Sequence, residues 1–182
     1  MGRQIGLNAA IHGYMTTVCE TVPAVRESVL DWEKDYLSSR VQKGKMTAAQ
    51  VDEIMSRFSV TDDLATAVKA ADIVIESIIE DRSAKTQVLH QISELAPADA
   101  LIGTNSSYMV SSLFKDAVKN PERLTNLHFF APVLVMKLVE VVKGDHVSEN
   151  TIEKAIDFCL HSWKKLRCWC RRRRTALLSI MF

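Results

Sequence analysis

Three residues between Gly103 and Lys143 carry the side chains of an acid/base site: Ser107, His128 and Glu140. An imidazole can take a proton from an alcohol, a carboxylate can orient that imidazole, and a hydroxyl can hold the alcohol oxygen. Ser107 closes Gly103-Thr104-Asn105-Ser106-Ser107. His128 lies in Asn126-Leu127-His128-Phe129-Phe130-Ala131-Pro132, and Glu140 in Met136-Lys137-Leu138-Val139-Glu140-Val141-Val142. Taken singly, each has a plain structural reading. Ser107 could cap a following helix, His128 between apolar neighbours could be a hydrogen-bonded core histidine, and Glu140 could sit on a water-exposed strand edge. Only the elements around them can turn the three into a site.

Those elements follow an alternating pattern. Met1–Ala10 reads as the first turns of a helix, with small residues at Gly6, Ala9 and Ala10 for close packing, and Met15–Cys19 as a short strand ending at Glu20. Val22 to about Val41 has helical spacing, as does Thr47–Phe58, so the two form a helical hairpin inserted into an α/β chain. Ser59–Thr61 is a short strand and Asp62–Ala70 a short helix with an acidic cap. The apolar run 72–79 reads as a strand buried on both faces. Helices follow at Asp81–Leu95, Met109–Val118 and Ser148–His161, and strands at Ala100–Thr104, Leu124–Phe130 and Leu138–Val142. Strands alternating with helices predict an α/β fold, a doubly wound and mostly parallel sheet.

Composition excludes several classes. With 182 residues the chain is one domain or slightly more, large enough for a real core. A net charge of +1 suggests no polyanionic partner, so nucleic acid is not expected for the body of the protein. No apolar run is long enough to span a bilayer, and the N-terminus has no secretory pattern. The four cysteines form no disulfide framework, which makes a cytoplasmic setting the expectation. Cys159, His161, Cys168 and Cys170 are soft ligands without paired-knuckle spacing, and no metal is expected.

Together, Ile75-Glu76-Ser77-Ile78-Ile79-Glu80-Asp81, Thr104-Asn105-Ser106-Ser107, Leu127-His128-Phe129-Phe130 and Met136–Val142 resemble the NAD-binding domain of the 3-hydroxyacyl-CoA dehydrogenase family, 3-hydroxybutyryl-CoA dehydrogenases included. The resemblance covers residues 1–162 and implies a Rossmann-type domain that uses NAD and an acyl-CoA substrate, in fatty acid β-oxidation or butyrate-type metabolism. It implies His128 as general base, Glu140 as its carboxylate partner and Ser107 as the hydroxyl holding the substrate's 3-oxygen. It places Gly2, Glu20, Glu80, Lys85 and Asn105 at the cofactor, Glu20 on the ribose hydroxyls. Residues 22–58 match an insertion used against the coenzyme A moiety, and family members are homodimers. Without the resemblance, Glu20 alone reads as a solvated turn residue.

Departures from the family pattern carry their own expectations. Of the Gly-x-Gly-x-x-Gly fingerprint only the last glycine remains, as Gly2, and the first strand is missing. The strand before Glu20 and the strand around Ile75 should then lose a shared neighbour. Ala131 stands where the family has asparagine. From 163 to 182 the composition switches to Trp, Cys and Arg, as out-of-frame translation would give, in place of a helical domain that supplies dimerisation. A poorly packed tail is expected there. Ala176–Phe182 filling the vacant central strand, or the arginine run binding nucleic acid or acidic lipid, are the sharper alternatives. A dehydrogenase impaired by truncation is the expectation, and the alternatives are an inactive fragment of such a dehydrogenase, or a relative acting on a non-CoA hydroxy acid.

Overall fold

The computed structural model describes the backbone of residues 1–136, 138–162, 167–172 and 176–180, and the side chains of residues 1–136 and 138–161. In chain order the elements are α1 (Gly2–Ile11), β1 (Thr16–Cys19), α2 (Pro23–Gln42), α3 (Ala48–Arg57), β2 (Phe58–Thr61), α4 (Leu64–Val68) and β3 (Ile73–Glu76). They continue with α5 (Arg82–Leu95), β4 (Leu101–Thr104), β5 (Leu124–Phe129), β6 (Leu138–Lys143), α6 (Glu149–Ser162), β7 (Arg167–Arg172) and β8 (Ala176–Ile180). Local chemistry sets most helix starts. Pro23 opens α2, where a missing N–H costs nothing. Thr47 and Gln50 form a reciprocal capping box on α3. Asp63 and Asp81 cap α4 and α5, and the Ser148 hydroxyl accepts from the Thr151 N–H at the start of α6.

The sheet is in two parts. β1 and β2 pair parallel by themselves, while the larger sheet has the order β3-β4-β5-β6-β7-β8. Within it β3, β4 and β5 are parallel, β6 is antiparallel to β5, β7 is parallel to β6, and β8 is antiparallel to β7. Among the described residues no strand joins β1 to β3. Helix α1 lies across both parts. Its Ile5 packs with Leu101, Leu127 and Phe129 of the large sheet, and its Leu7 and Ala10 pack with Val29, Leu37, Ile54 and Phe58. Gly6 permits this contact, because a Cβ there would stand 2.8 Å from a Val18 methyl. The α2–α3 hairpin is present as expected and covers the β1–β2 side.

Three expectations are corrected. The run 72–79 is a strand only to Glu76, and Ile73, Val74 and Ile75 are half-buried, whereas all four residues of β4 are buried. The cause is position: β3 is an edge strand of its sheet. Residues 109–118 form no α-helix but two 3-10 turns, Ser111–Leu113 and Lys115–Ala117. Distant side chains hold the backbone at both ends of this segment. The Asn126 carboxamide accepts from Ser111 N and donates to Met109 O, and the His90 ring bonds Ala117 O. In the tail, β7 and β8 extend the sheet beyond β6, so Ala176–Ile180 takes the outer edge and not the place between β1 and β3.

Candidate active site

β5 and β6 bring two of the three candidate residues together by register alone. His128 pairs directly with Glu140 across the antiparallel ladder, which puts both side chains on one face. His128 Nδ1 lies 3.3 Å from Glu140 Oε2, and both side chains are largely buried, at 16% and 24% exposure. β6 is an interior strand between β5 and β7, so Glu140 is not the water-exposed edge residue that its apolar run allowed. Ser107, in the loop after β4, places its hydroxyl 3.1 Å from His128 Nε2. The imidazole is thereby engaged at both nitrogens, with carboxylate on one side and hydroxyl on the other. With the Nδ1–H donated to Glu140, the Nε2 lone pair faces the Ser107 side and can take a proton from an alcohol there.

The Ser107 loop is tied down from several sides. Glu80, in the turn after β3, accepts from the Ser106 hydroxyl at 2.8 and 3.0 Å and from Ser107 N at 2.8 Å. Burial pushes the Glu80 carboxyl up, but the Ser107 N–H, the Ser106 hydroxyl and the Lys85 ammonium outweigh it and hold the group below the usual carboxylate range. Ser106 Oγ also accepts from Met109 N, and Asn126 fixes the segment beyond it. Asn105 spends its carboxamide within the protein, donating to Ser77 Oγ at 3.1 Å and accepting from Phe129 N at 2.8 Å. It ties the ends of β3 and β5 together beside the site. Lys85 is 1% exposed and faces Glu76 and Glu80 instead of solvent.

The remaining cofactor candidates share one end of the sheet with these residues. Gly2 opens α1 beside Ser77, and a Cβ on it would meet only the Ser77 Cβ, at 3.8 Å. Among the described residues no side chain caps the first turn of α1, where Gln4 N donates to Met1 O at 2.9 Å. Glu20 follows β1, and its carboxylate accepts from Val22 N at 3.0 Å. Gly2, Glu20, Glu80 and Ser107 thus mark the carboxyl edge of the parallel strands, the place where open α/β sheets take ligands. The loop carrying Ala131 is held to α1, where Gln4 Oε1 accepts from Val133 N. Sequence reasoning missed Glu76, Thr104, Ser106 and Asn126 as parts of this assembly. A carboxylate inside the apolar run Ile-Val-Ile-Glu was the one signal that could have flagged Glu76. Among the described residues, no three His, Cys, Asp or Glu side chains converge to hold a metal ion.

The profile of the 3-hydroxyacyl-CoA dehydrogenase NAD binding domain matches residues 1–170. The chain belongs to the 3-hydroxyacyl-CoA dehydrogenase family. The match ends inside β7, beyond the boundary at Ser162 on which the sequence resemblance rests. The 3-hydroxyadipyl-CoA dehydrogenase of Escherichia coli is 35% identical over 170 residues, which is 92% of this chain and 35% of that protein. A probable 3-hydroxybutyryl-CoA dehydrogenase of Bacillus subtilis is 34% identical over 151 residues, 83% of this chain and 52% of the relative. The chain therefore spans about a third to a half of the length of these curated relatives. The crystal structure of an E. coli 3-hydroxybutyryl-CoA dehydrogenase superposes with a TM-score of 0.88 at 34% identity, covering 93% of this chain and 35% of that one. The Mycobacterium tuberculosis FadB2 structure gives 0.89 at 26% identity, covering 98% and 62%. Both share the Rossmann-type α/β fold described above. Among the described residues, no helix is long and apolar enough to cross a membrane.

Proposed function

We propose that this dehydrogenase-family domain holds NAD along the carboxyl edge of its parallel strands and interconverts a 3-hydroxyacyl-CoA with its 3-oxoacyl-CoA. The observation that carries the reading is the line Ser107–His128–Glu140, with Ser107 Oγ at 3.1 Å and Glu140 Oε2 at 3.3 Å from the two ring nitrogens. Gly2 at the uncapped start of α1 suits a pyrophosphate, and Glu20 at the end of β1 suits unphosphorylated ribose hydroxyls, which favours NAD over NADP. NAD supplies the acceptor for the hydride that leaves C3. The protein's part is acid/base work and positioning: Ser107 donates to the 3-oxygen, His128 Nε2 removes its proton, and Glu140 holds the ring and stabilises the imidazolium. The buried Cys159 thiol fits a reducing, cytoplasmic setting.

Serine, histidine and a carboxylate in line also suggest a hydrolytic triad. The surroundings favour the dehydrogenase reading, because the Ser107 N–H that could serve an oxyanion is already given to the Glu80 carboxylate. The test is NADH oxidation with acetoacetyl-CoA by the wild-type chain and the His128→Gln variant. The reading predicts acetoacetyl-CoA-dependent NADH loss that the variant lowers by about 10²–10⁴-fold. Hydrolysis of an acyl ester with no NADH consumption would overturn it in favour of the triad.

A further inference from the structure

The polar assembly under the Ser107 loop contains a carboxylate that touches none of the three residues in line. Glu76 ends β3, and its side chain is 1% exposed. Its Oε1 accepts from Lys85 Nζ at 2.8 Å and from Ile78 N at 2.7 Å, and its Oε2 accepts from the Thr104 hydroxyl at 2.7 Å. Both oxygens are therefore used, and they join the ends of β3 and β4 to the first turn of α5. Lys85 also donates to Ile78 O at 3.3 Å and lies 3.5 Å from Glu80 Oε2. Glu80 in turn holds Ser106 and Ser107.

We propose that Glu76, acting through its buried ion pair with Lys85, is the positioning residue for the Ser107 loop and hence for the Ser107–His128 hydrogen bond. Charge balance gives the reason. Two carboxylates share one buried ammonium, and the nearer one, Glu76, keeps that ammonium from closing on Glu80. Without the Glu76 charge, Lys85 is a buried cation whose remaining counter-charge is Glu80, and a buried charge stripped of its partner is strongly destabilising. The ammonium then moves onto Glu80 and competes with Ser106 and Ser107 for its oxygens. The Ser107 N–H loosens, and with it the hydroxyl that faces His128 Nε2. Glu76 touches none of Ser107, His128 and Glu140, so its role is to set geometry.

This inference deepens the dehydrogenase reading and takes the meaning of the site from it, but its test uses the free protein without substrate, so each can fail alone. The experiment compares wild type, Glu76→Gln and Glu76→Asp by far-UV circular dichroism, amide hydrogen exchange and the NMR chemical shifts of the His128 ring. In folded Glu76→Gln the Ser107 amide should exchange about tenfold faster or more, the equivalent of one charge-assisted hydrogen bond. The His128 ring resonances should shift as well, while the Leu127 amide stays as in wild type. Glu76→Asp, which keeps the charge, should restore most of both signals. A folded Glu76→Gln protein with wild-type Ser107 exchange and wild-type His128 ring resonances overturns the proposal. Should that variant fail to fold, the double variant Glu76→Met with Lys85→Met, which leaves no ammonium to move onto Glu80, is read instead. Wild-type Ser107 exchange there supports the proposal, and faster exchange overturns it.

Discussion

His128 and Glu140 are direct partners across the β5–β6 ladder, and their side chains meet with Nδ1 3.3 Å from Oε2. The orientation of the imidazole is thus built into strand register, and a slip of one residue would send the two side chains to opposite faces. Fixing the acid/base pair on an antiparallel ladder leaves the loop after β4 to supply the hydroxyl.

Replacing the base should separate chemistry from binding. His128→Gln is expected to lower kcat for acetoacetyl-CoA reduction by about 10²–10⁴-fold, the usual contribution of a positioned acid/base group. NADH affinity should stay within about twofold of wild type, since none of the cofactor-edge residues is altered. Glu140→Gln should give a smaller loss of the same kind. Stopped-flow turnover beside equilibrium NADH titration measures both.

Glu33 should give the protein an unusual pH dependence of stability. Its side chain is fully buried on α2, neither carboxylate oxygen has a hydrogen-bond partner among the described residues, and burial pushes its pKa up from 4.5 to about 7. The folded state therefore keeps a proton that the unfolded state has released, and stability falls as pH rises from about 4.5 to about 7. The full effect is about 3 kcal/mol. Urea unfolding at about pH 5 and about pH 8 should show that loss in wild type, and Glu33→Leu should remove most of the slope. An equal slope in the variant would place the titrating group elsewhere.

Glu80 has the opposite sign. Its folded pKa is depressed, so its contribution is present above the unfolded value and is lost as pH falls through the folded one. Carbon-detected NMR of the carboxyl should show a titration below the usual glutamate range, with the Ser107 amide proton moving in step. Glu80→Gln should abolish the low-pH movement of that amide. A Ser107 amide that ignores Glu80 would show that the 2.8 Å contact is not maintained in solution.

Gly103 marks the closest approach of β4 to the β5 side chains. A Cβ there would stand 2.8 Å from a Leu127 methyl and 3.2 Å from the Leu127 Cβ, and Leu127 is fully buried. Gly103→Ala should cost about 1–3 kcal/mol by overpacking. Because Leu127 precedes His128, turnover should fall further than thermal stability alone accounts for. Thermal melts and single-turnover rates on the same preparation check this.

Elements whose deciding contacts are local were legible in the sequence. The helical spacing of 22–41 and 47–58 and the helix read over 81–95 announce α2, α3 and α5, and all three helices form there. Residues 109–118 were misread because the groups that decide their conformation, Asn126 and His90, lie far along the chain. The depth of β3 was misjudged because an apolar run reports affinity for a core and not the number of neighbouring strands. Ser107, His128 and Glu140 stood out because polar side chains at strand ends are few. Glu76 and Asn126, equally polar, did not, since their partners are visible only once α5 and the Ser107 loop are folded against the strands.

The most direct test of the account is an NADH titration of the purified chain, followed by nicotinamide fluorescence. The account predicts saturation at an affinity on the order of micromolar, displaced by NAD and weakened at least about tenfold by Glu20→Arg, which removes the carboxylate proposed for the ribose hydroxyls. No saturable signal up to millimolar NADH would contradict it. The carboxyl edge marked by Gly2, Glu20 and Glu80 would then not form a cofactor site in this chain.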